Sequence, residues 1–386
     1  MDSVRAAASI RKLPIEGGLL LLDTSSNSLF AFNDTARHVW DLLAGGESNE
    51  GLVGAFAAWW GISSSRAQAD VSSILTQWHH LGLLADSEHT PAPLRSVPIV
   101  AADNSSAPQT QRTVEWICTI RGKTIEFAVG NDLAPKIRSL FQHLETPHAR
   151  PQARLEIKLS PDDEMVLVEA GIERMRAGDL GQLLGALYQT VLERVHPDVV
   201  WLAVLHGAAV AHNDAGIGLA GPSGSGKSTL AAGLLNAGFD YLADDMIALA
   251  APDGMILSWP LPLSIKPGSI DVISAHYPKL AQAPFYRTKG LDARLLVPPS
   301  SVWHSEPVRL RKLVFPRFSA GATAHLQRIS LFDAVERLLS DRIWLGYPIT
   351  EQRVAGVLTW LNDVPAFTIT YGSLDDGVRL IESIVA

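Results

Sequence analysis

Between residues 10 and 86 apolar runs alternate with turn-forming residues in an order that predicts a hairpin and then three helices. Gly18–Asp23 and Leu29–Asn33 are short apolar runs either side of the polar stretch Thr24–Ser28, a β-hairpin pattern. Asn33 or Asp34 can cap a helix through Ala36, Val39, Trp40, Leu42 and Leu43, which Gly45-Gly46 ends. Glu50–Trp60 carries Leu52, Val53, Phe56, Trp59 and Trp60 at helical spacing, which assigns both tryptophans to a core. A third helix, capped within Ser63–Ser65, has Val71, Ile74, Leu75, Trp78 and Leu81 as its apolar stripe and stops at Gly82.

Residues 87–111 are rich in Pro, Ser and Ala and lack periodicity, as an interdomain linker does. From Arg112 the pattern turns to strands: Thr113–Ile120, Lys123–Val129, Ala153–Lys158 and Met165–Ala170, with helices over Leu133–Leu144 and Leu180–Val195. Val199–Leu205 is a compact apolar run followed by His206-Gly207. Arg309–Pro316 mixes a basic cluster with a strand, which suggests a sheet edge. Ser330 and Thr350 are expected helix caps ahead of Phe332–Leu339 and Val354–Leu361. The predicted division is a domain over 1–86, a linker over 87–111, and a domain over 112–386 with a β-rich part, 112–198, and a core, 199–386.

Composition narrows the function classes. Of 386 residues, 32 are basic and 40 acidic, net −8, which argues against a general nucleic-acid binder. One cysteine, Cys118, excludes an internal disulfide and cysteine-rich zinc modules. His79-His80 brings no metal set with it. No signal-peptide pattern and no apolar run of about 18 residues is present. The expectation is a soluble cytoplasmic protein that neither spans a membrane nor binds nucleic acid.

The chemistry concentrates after residue 205. Gly221-Pro222-Ser223-Gly224-Ser225-Gly226-Lys227-Ser228-Thr229 is G-x-x-x-x-G-K-S between a short apolar strand, Ile217–Ala220, and a helical stretch, Leu230–Asn236, the context a P-loop requires. Glycines let the backbone curl so that N–H groups point at phosphates, and the helix N-terminus adds positive charge. Lys227 can reach phosphoryl oxygens and Ser228 can ligate Mg²⁺. Asp244-Asp245 follows within the apolar stretch Tyr241–Leu249. Two acids there allow one to serve the metal and the other to take a proton from an attacking hydroxyl.

His206-Gly207, then Gly221, then Ala243-Asp244-Asp245, at these spacings, resembles HPr kinase/phosphorylase. The resemblance is close over about 199–250 and extends in outline to Ala386. It implies an α/β fold (α+β overall) of the HPr-kinase and phosphoenolpyruvate-carboxykinase type, with ATP and Mg²⁺ as cofactors. By resemblance Asp244 is the base, Asp245 lies near metal and substrate, and His206 sits beside the phosphates. The family's later signature, Glu and Arg ahead of a Gly-rich Ile-Asp-Val, is absent. Here the chain reads Ser264-Ile265-Lys266-Pro267-Gly268-Ser269-Ile270-Asp271-Val272, with Lys266 near the family's arginine. Neither reverse phosphorylase activity nor HPr as substrate is therefore carried over. Lys266, Arg287 and Lys289 are candidate phosphate or substrate contacts, the last two in a segment that also reads as a solvated loop.

Leu20–Asp23, Phe32–Ala36, Val39-Trp40 and Leu81–Leu84 resemble PqqD-like proteins, winged-helix modules that recognise leader peptides of ribosomally made, modified peptides. Together the resemblances imply an ATP-dependent kinase acting on a Ser or Thr hydroxyl of such a precursor peptide, in tailoring of the lasso-peptide kind. A kinase of a free amino acid or sugar, and a nucleotide-gated adaptor presenting a peptide, are the alternatives. HPr kinases are commonly hexamers, so a homo-oligomer is compatible with the resemblance.

Overall fold

The computed structural model describes residues 5–85, 112–288 and 291–385. The expected linker and Lys289 lie outside them. The first elements are β1 (Ile10–Ile15), β2 (Gly18–Asp23), β3 (Ser28–Asn33), α1 (Asp34–Ala44), α2 (Asn49–Trp60) and α3 (Ser64–His80). There follow β4 (Thr113–Ile120), β5 (Lys123–Gly130), α4 (Ala134–Phe141), β6 (Ala153–Leu159), β7 (Met165–Glu169), β8 (Ile172–Ala177) and α5 (Leu180–Val195). Next come β9 (Trp201–Leu205), β10 (Gly207–His212), β11 (Ala215–Ala220), α6 (Lys227–Asn236), β12 (Asp240–Ala243), β13 (Ile247–Ala250), β14 (Met255–Leu257), β15 (Leu263–Ile265) and α7 (Ile270–Ser274). The chain ends with β16 (Phe285–Thr288), β17 (Leu291–Leu296), β18 (Val308–Phe318), β19 (His325–Ile329), α8 (Leu331–Asp341), β20 (Ile343–Trp344), α9 (Glu351–Asn362), β21 (Ala366–Tyr371) and α10 (Leu374–Val385). The whole is mixed α/β and divides into two compact units.

The first unit is the N-terminal segment with Leu202–Leu205 and Gln327–Thr368. Its hairpin and three helices stand where the sequence predicts them. Asn33 Oδ1 accepts from Ala36 N at 3.0 Å and Ser48 Oγ from Gly51 N at 3.1 Å, each satisfying a donor at a helix start. β1 is an additional strand, antiparallel to β2 in the order β1-β2-β3. Leu19, Leu21 and Phe32 face α1–α3, where Phe32 stacks on Trp78 at 4.9 Å and Trp40 meets both rings edge-on. Trp59 and Trp60 do not join this core. They are 48% and 50% exposed, because the helix runs past the part covered at Leu52, Val53 and Phe56.

The sheet's opposite face is covered too. Leu20 and Leu29 line an apolar layer with Val335, Leu338, Val354 and Leu361 of α8 and α9, leaving a gap of only about 20 Å³. Ser330 and Thr350 cap those helices as expected, Ser330 through a reciprocal capping box with Asp333. Residues 327–368 thus group with the N-terminal segment, whereas the expected boundaries placed them with 112–386.

The second unit holds two larger sheets. One is β4-β5-β6-β7-β8, with α5 packed on β7 and β8. The other, within this unit, runs β12-β10-β11-β18-β14-β13. β10 is antiparallel to both β11 and β12, while β11 and β18 are parallel, Leu219 opposite Val314. The C-terminal ends of β12, β11 and β18 therefore share one edge of the sheet. β18 is interior, not an edge as its basic cluster suggests, and buries Leu310, Leu313 and Val314. A three-stranded sheet, β15-β17-β16, follows.

Gly18 marks how tightly the first unit is packed. A Cβ there would lie 2.3 Å from the Phe332 ring and 2.4 Å from the Phe32 carbonyl oxygen. Gly18→Ala is expected to lower unfolding stability by about 1–3 kcal/mol, read by chemical denaturation. A change under about 0.5 kcal/mol would show that the sheet and α8 are not in close contact.

Candidate functional site

β11 ends at Ala220 and the chain enters a tight loop before α6 begins at Lys227. Gly221, Gly224 and Gly226 all adopt positive φ, at 133°, 91° and 102°, the region glycine reaches without steric cost. Gly226 is doubly required: a Cβ would lie 2.5 Å from the Tyr371 hydroxyl. Lys227 is buried, and its ammonium donates to the carbonyls of Gly221 and Pro222. Ser223, Gly224, Ser225, Ser228 and Thr229 complete the segment as the sequence places them.

Asp244 and Asp245 interrupt the expected strand, which splits into β12 and β13, with Asp245 at φ 63°. Their environments differ. Asp244 is 1% exposed; its Oδ1 accepts from Ser228 Oγ at 3.0 Å and its Oδ2 from Ser264 N at 2.9 Å. Burial, then the charge of Asp245, pushes the Asp244 carboxyl up to about 7 against those two bonds. Asp245 is exposed to solvent, though protein surrounds it closely. The crowding raises its pKa, and the charges of His206, Lys227 and Lys266 pull it down. Gly207 N donates to the Asp245 carbonyl at 3.4 Å, which sets the His206-Gly207 turn against the acid pair.

The segment 264–269 lies on the loop. Besides Ser264 on Asp244, Lys266 Nζ donates to Ser223 Oγ at 2.6 Å and Thr229 Oγ1 donates to Ser269 Oγ at 2.9 Å. Of the three candidate contacts, Lys266 is thus at the loop. Arg287 belongs to β16, and Lys289 is outside the described residues.

The sequence reading missed four tyrosines. Tyr188, Tyr241 and Tyr286 carry phenols raised above their usual range by burial and by the neighbouring acids. The buried Tyr286 hydroxyl makes no hydrogen bond among the described residues. Tyr371, pressed against Gly226, likewise has a buried hydroxyl with no partner among the described residues. Tyr188, Tyr286 and Tyr371 lie far from the loop in sequence, and Tyr241 reads there as one apolar residue of the strand before the acid pair.

Chemically, the loop offers turned backbone, a lysine and a helix start on one side, and a buried and an open carboxylate on the other. A serine hydroxyl and a carboxylate 3.0 Å apart are hard oxygen donors suited to Mg²⁺, which takes few protein ligands when phosphates supply the rest. Among the described residues no group of three or more His, Cys, Asp or Glu could hold a metal.

In the other unit, β1 and β3 are the two outer strands of their sheet, and Phe32 of β3 stacks on Trp78 of α3. A depression of about 530 Å³ follows Ser72, Ser73, Thr76, Gln77, His80 and Leu81 along α3. Residues 18–84 match the family model of coenzyme PQQ synthesis protein D, PqqD, so the N-terminal segment is a PqqD-like domain. Among solved structures the chain is similar to a lasso peptide synthetase B1 complexed with the leader peptide. That match is 22% identical, covers 22% of this chain and 98% of that one, and has a TM-score of 0.21. No curated protein matches the sequence. Among the described residues no helix is long and apolar enough to cross a membrane.

The contact between Tyr371 and Gly226 is directly testable. Gly226→Ala should destabilise the protein through clash and strained φ, and adding Tyr371→Phe should recover part of the loss, a coupling of about 0.5–3 kcal/mol. Strict additivity in denaturant titrations would separate the phenol from the loop.

Proposed function

We propose that the chain is an ATP-dependent kinase of the HPr-kinase type that phosphorylates a Ser or Thr hydroxyl of a ribosomally made precursor peptide. One observation carries the kinase reading: a buried carboxylate bonded to the loop serine stands next to an open carboxylate facing a histidine and two lysines.

The ATP phosphates would lie in the loop 221–229. Lys227, with Lys266 opposite, would exchange its carbonyl partners for phosphoryl oxygens and balance the transferring charge. Ser228 and Asp244 would hold Mg²⁺, which supplies charge neutralisation at the phosphates. Asp245 would accept the proton as the acceptor oxygen bonds to phosphorus and the bond to ADP breaks. His206 would stand beside Asp245 and the phosphates. This exchanges the two acids relative to the sequence expectation. Asp244 already bonds Ser228 and is sealed from solvent, so an incoming hydroxyl meets Asp245 first.

The PqqD match supports the peptide half of the reading. Such modules take a leader as an added strand at the sheet edge beside the third helix, and here that edge is β3. A leader held there would raise the local concentration of the acceptor residue.

Asp245→Asn should cut phosphoryl transfer by about 10²–10⁴-fold with nucleotide affinity kept, while Asp244→Asn should raise the Mg²⁺ concentration needed. The opposite pattern, in rate assays across Mg²⁺ titrations, would return the base to Asp244.

For the peptide, the intact chain should show a higher KM for leaderless than for leader-bearing substrate at similar kcat. Free leader should compete only with the latter. Equal KM values would remove the leader from the function.

A further inference from the structure

β18 is the neighbour of β11 on the side away from β10, whose first residue, Gly207, bonds the Asp245 carbonyl. Because the three strands β12, β11 and β18 end at one edge, the loop is flanked there by carboxylates on one side and by the end of β18 on the other. That end is Phe318, a residue 51% exposed. Its position is fixed by backbone, not by chance packing. Phe318 N donates to the Ser225 carbonyl in the glycine-rich loop at 3.1 Å, and Ser319 N donates to the Tyr371 carbonyl at 3.0 Å. A Cβ on Gly226 would come within 3.5 Å of Phe318 Cβ. The Phe318 ring contacts Tyr371, centroids 5.8 Å apart and planes at 59°, while the residue as a whole stays exposed.

An exposed phenylalanine costs solvation free energy, and here it is anchored to the loop proposed to hold phosphates. From these positions we infer that Phe318 is the stacking platform for the nucleobase of the nucleotide held by the loop. The orientation follows from the sheet order. The terminal phosphate must face Asp245, where the acceptor is deprotonated, so the phosphate chain runs across the loop away from β12. The ribose and base then leave toward β18. A flat aromatic ring there offers its face to a purine, an interaction available to any base because every base has a π-face.

The inference rests on the nucleotide reading of the loop, and tripolyphosphate separates the two. It carries the phosphates without the base. Mg²⁺-dependent affinities for ATP and for tripolyphosphate are to be measured by calorimetry on the intact chain, as wild type, Phe318→Ala and Phe318→Trp. The expected result is ATP binding weakened about 5- to 150-fold in Phe318→Ala, with tripolyphosphate changed less than about twofold and Phe318→Trp close to wild type. ATP affinity unchanged in Phe318→Ala overturns the platform while leaving the loop assignment intact. Equal weakening of both ligands also overturns it, since the ring would then only support the loop. A wild-type protein that binds neither ligand overturns the nucleotide reading, and the platform with it.

Discussion

Asp244 is a carboxylate that the fold keeps out of water, and a charge so placed needs hydrogen bonds or neutralisation. Its two oxygens take one bond from Ser228, in the first turn of α6, and one from the backbone of Ser264, in β15. Two stretches of chain that are separate in sequence are thereby pinned to a third through a single side chain. Even so, the carboxyl is pushed up to about 7, so these bonds do not fully offset burial and the adjacent Asp245. A divalent cation beside Ser228 is the kind of partner that would complete the balance. The loop glycines, Lys227 and the strap 264–269 take their places around this point.

Much of that arrangement was legible in the sequence. The loop motif and the Asp-Asp pair were visible because their chemistry depends on short spacings. Helix caps at Asn33, Ser63, Ser330 and Thr350 are local in the same way, each acting within three residues. Which acid is buried was not legible, since the sequence reads as one continuous strand through the pair and only the fold shows the break there. The strand break at Asp245, with its positive φ, sets the two side chains in different surroundings, and asparagine-like tolerance of such φ by aspartate gives only a faint local hint of it.

The misreadings share a cause. β18 carries Arg309, Arg311 and Lys312, but its neighbours β11 and β14 are distant in sequence, so charge along the strand could not reveal a central position. β1 was hidden by Arg11, Lys12 and Pro14; as an edge strand it tolerates all three. Trp59 and Trp60 keep helical spacing beyond the last turn that other helices cover. Periodicity reports which face is apolar, not how far the cover extends.

The unbroken run Leu19-Leu20-Leu21-Leu22 holds the last piece of the logic. A strand with one wet face alternates, and a strand apolar at every position has both faces covered. All four leucines are buried, two sides of one strand serving two different layers. The first layer is the three-helix core that the PqqD match describes; the second is built by α8 and α9, some 300 residues later in the chain. The PqqD-like domain is therefore not a bead on a tether. Removing it would strip water-excluding cover from Val335, Leu338, Val354 and Leu361, at about 1.5–3 kcal/mol for each fully uncovered side chain. A truncation would then confound lost stability with lost peptide recognition. The leader's contribution has to be read on the intact chain, by changing the peptide and leaving the protein whole.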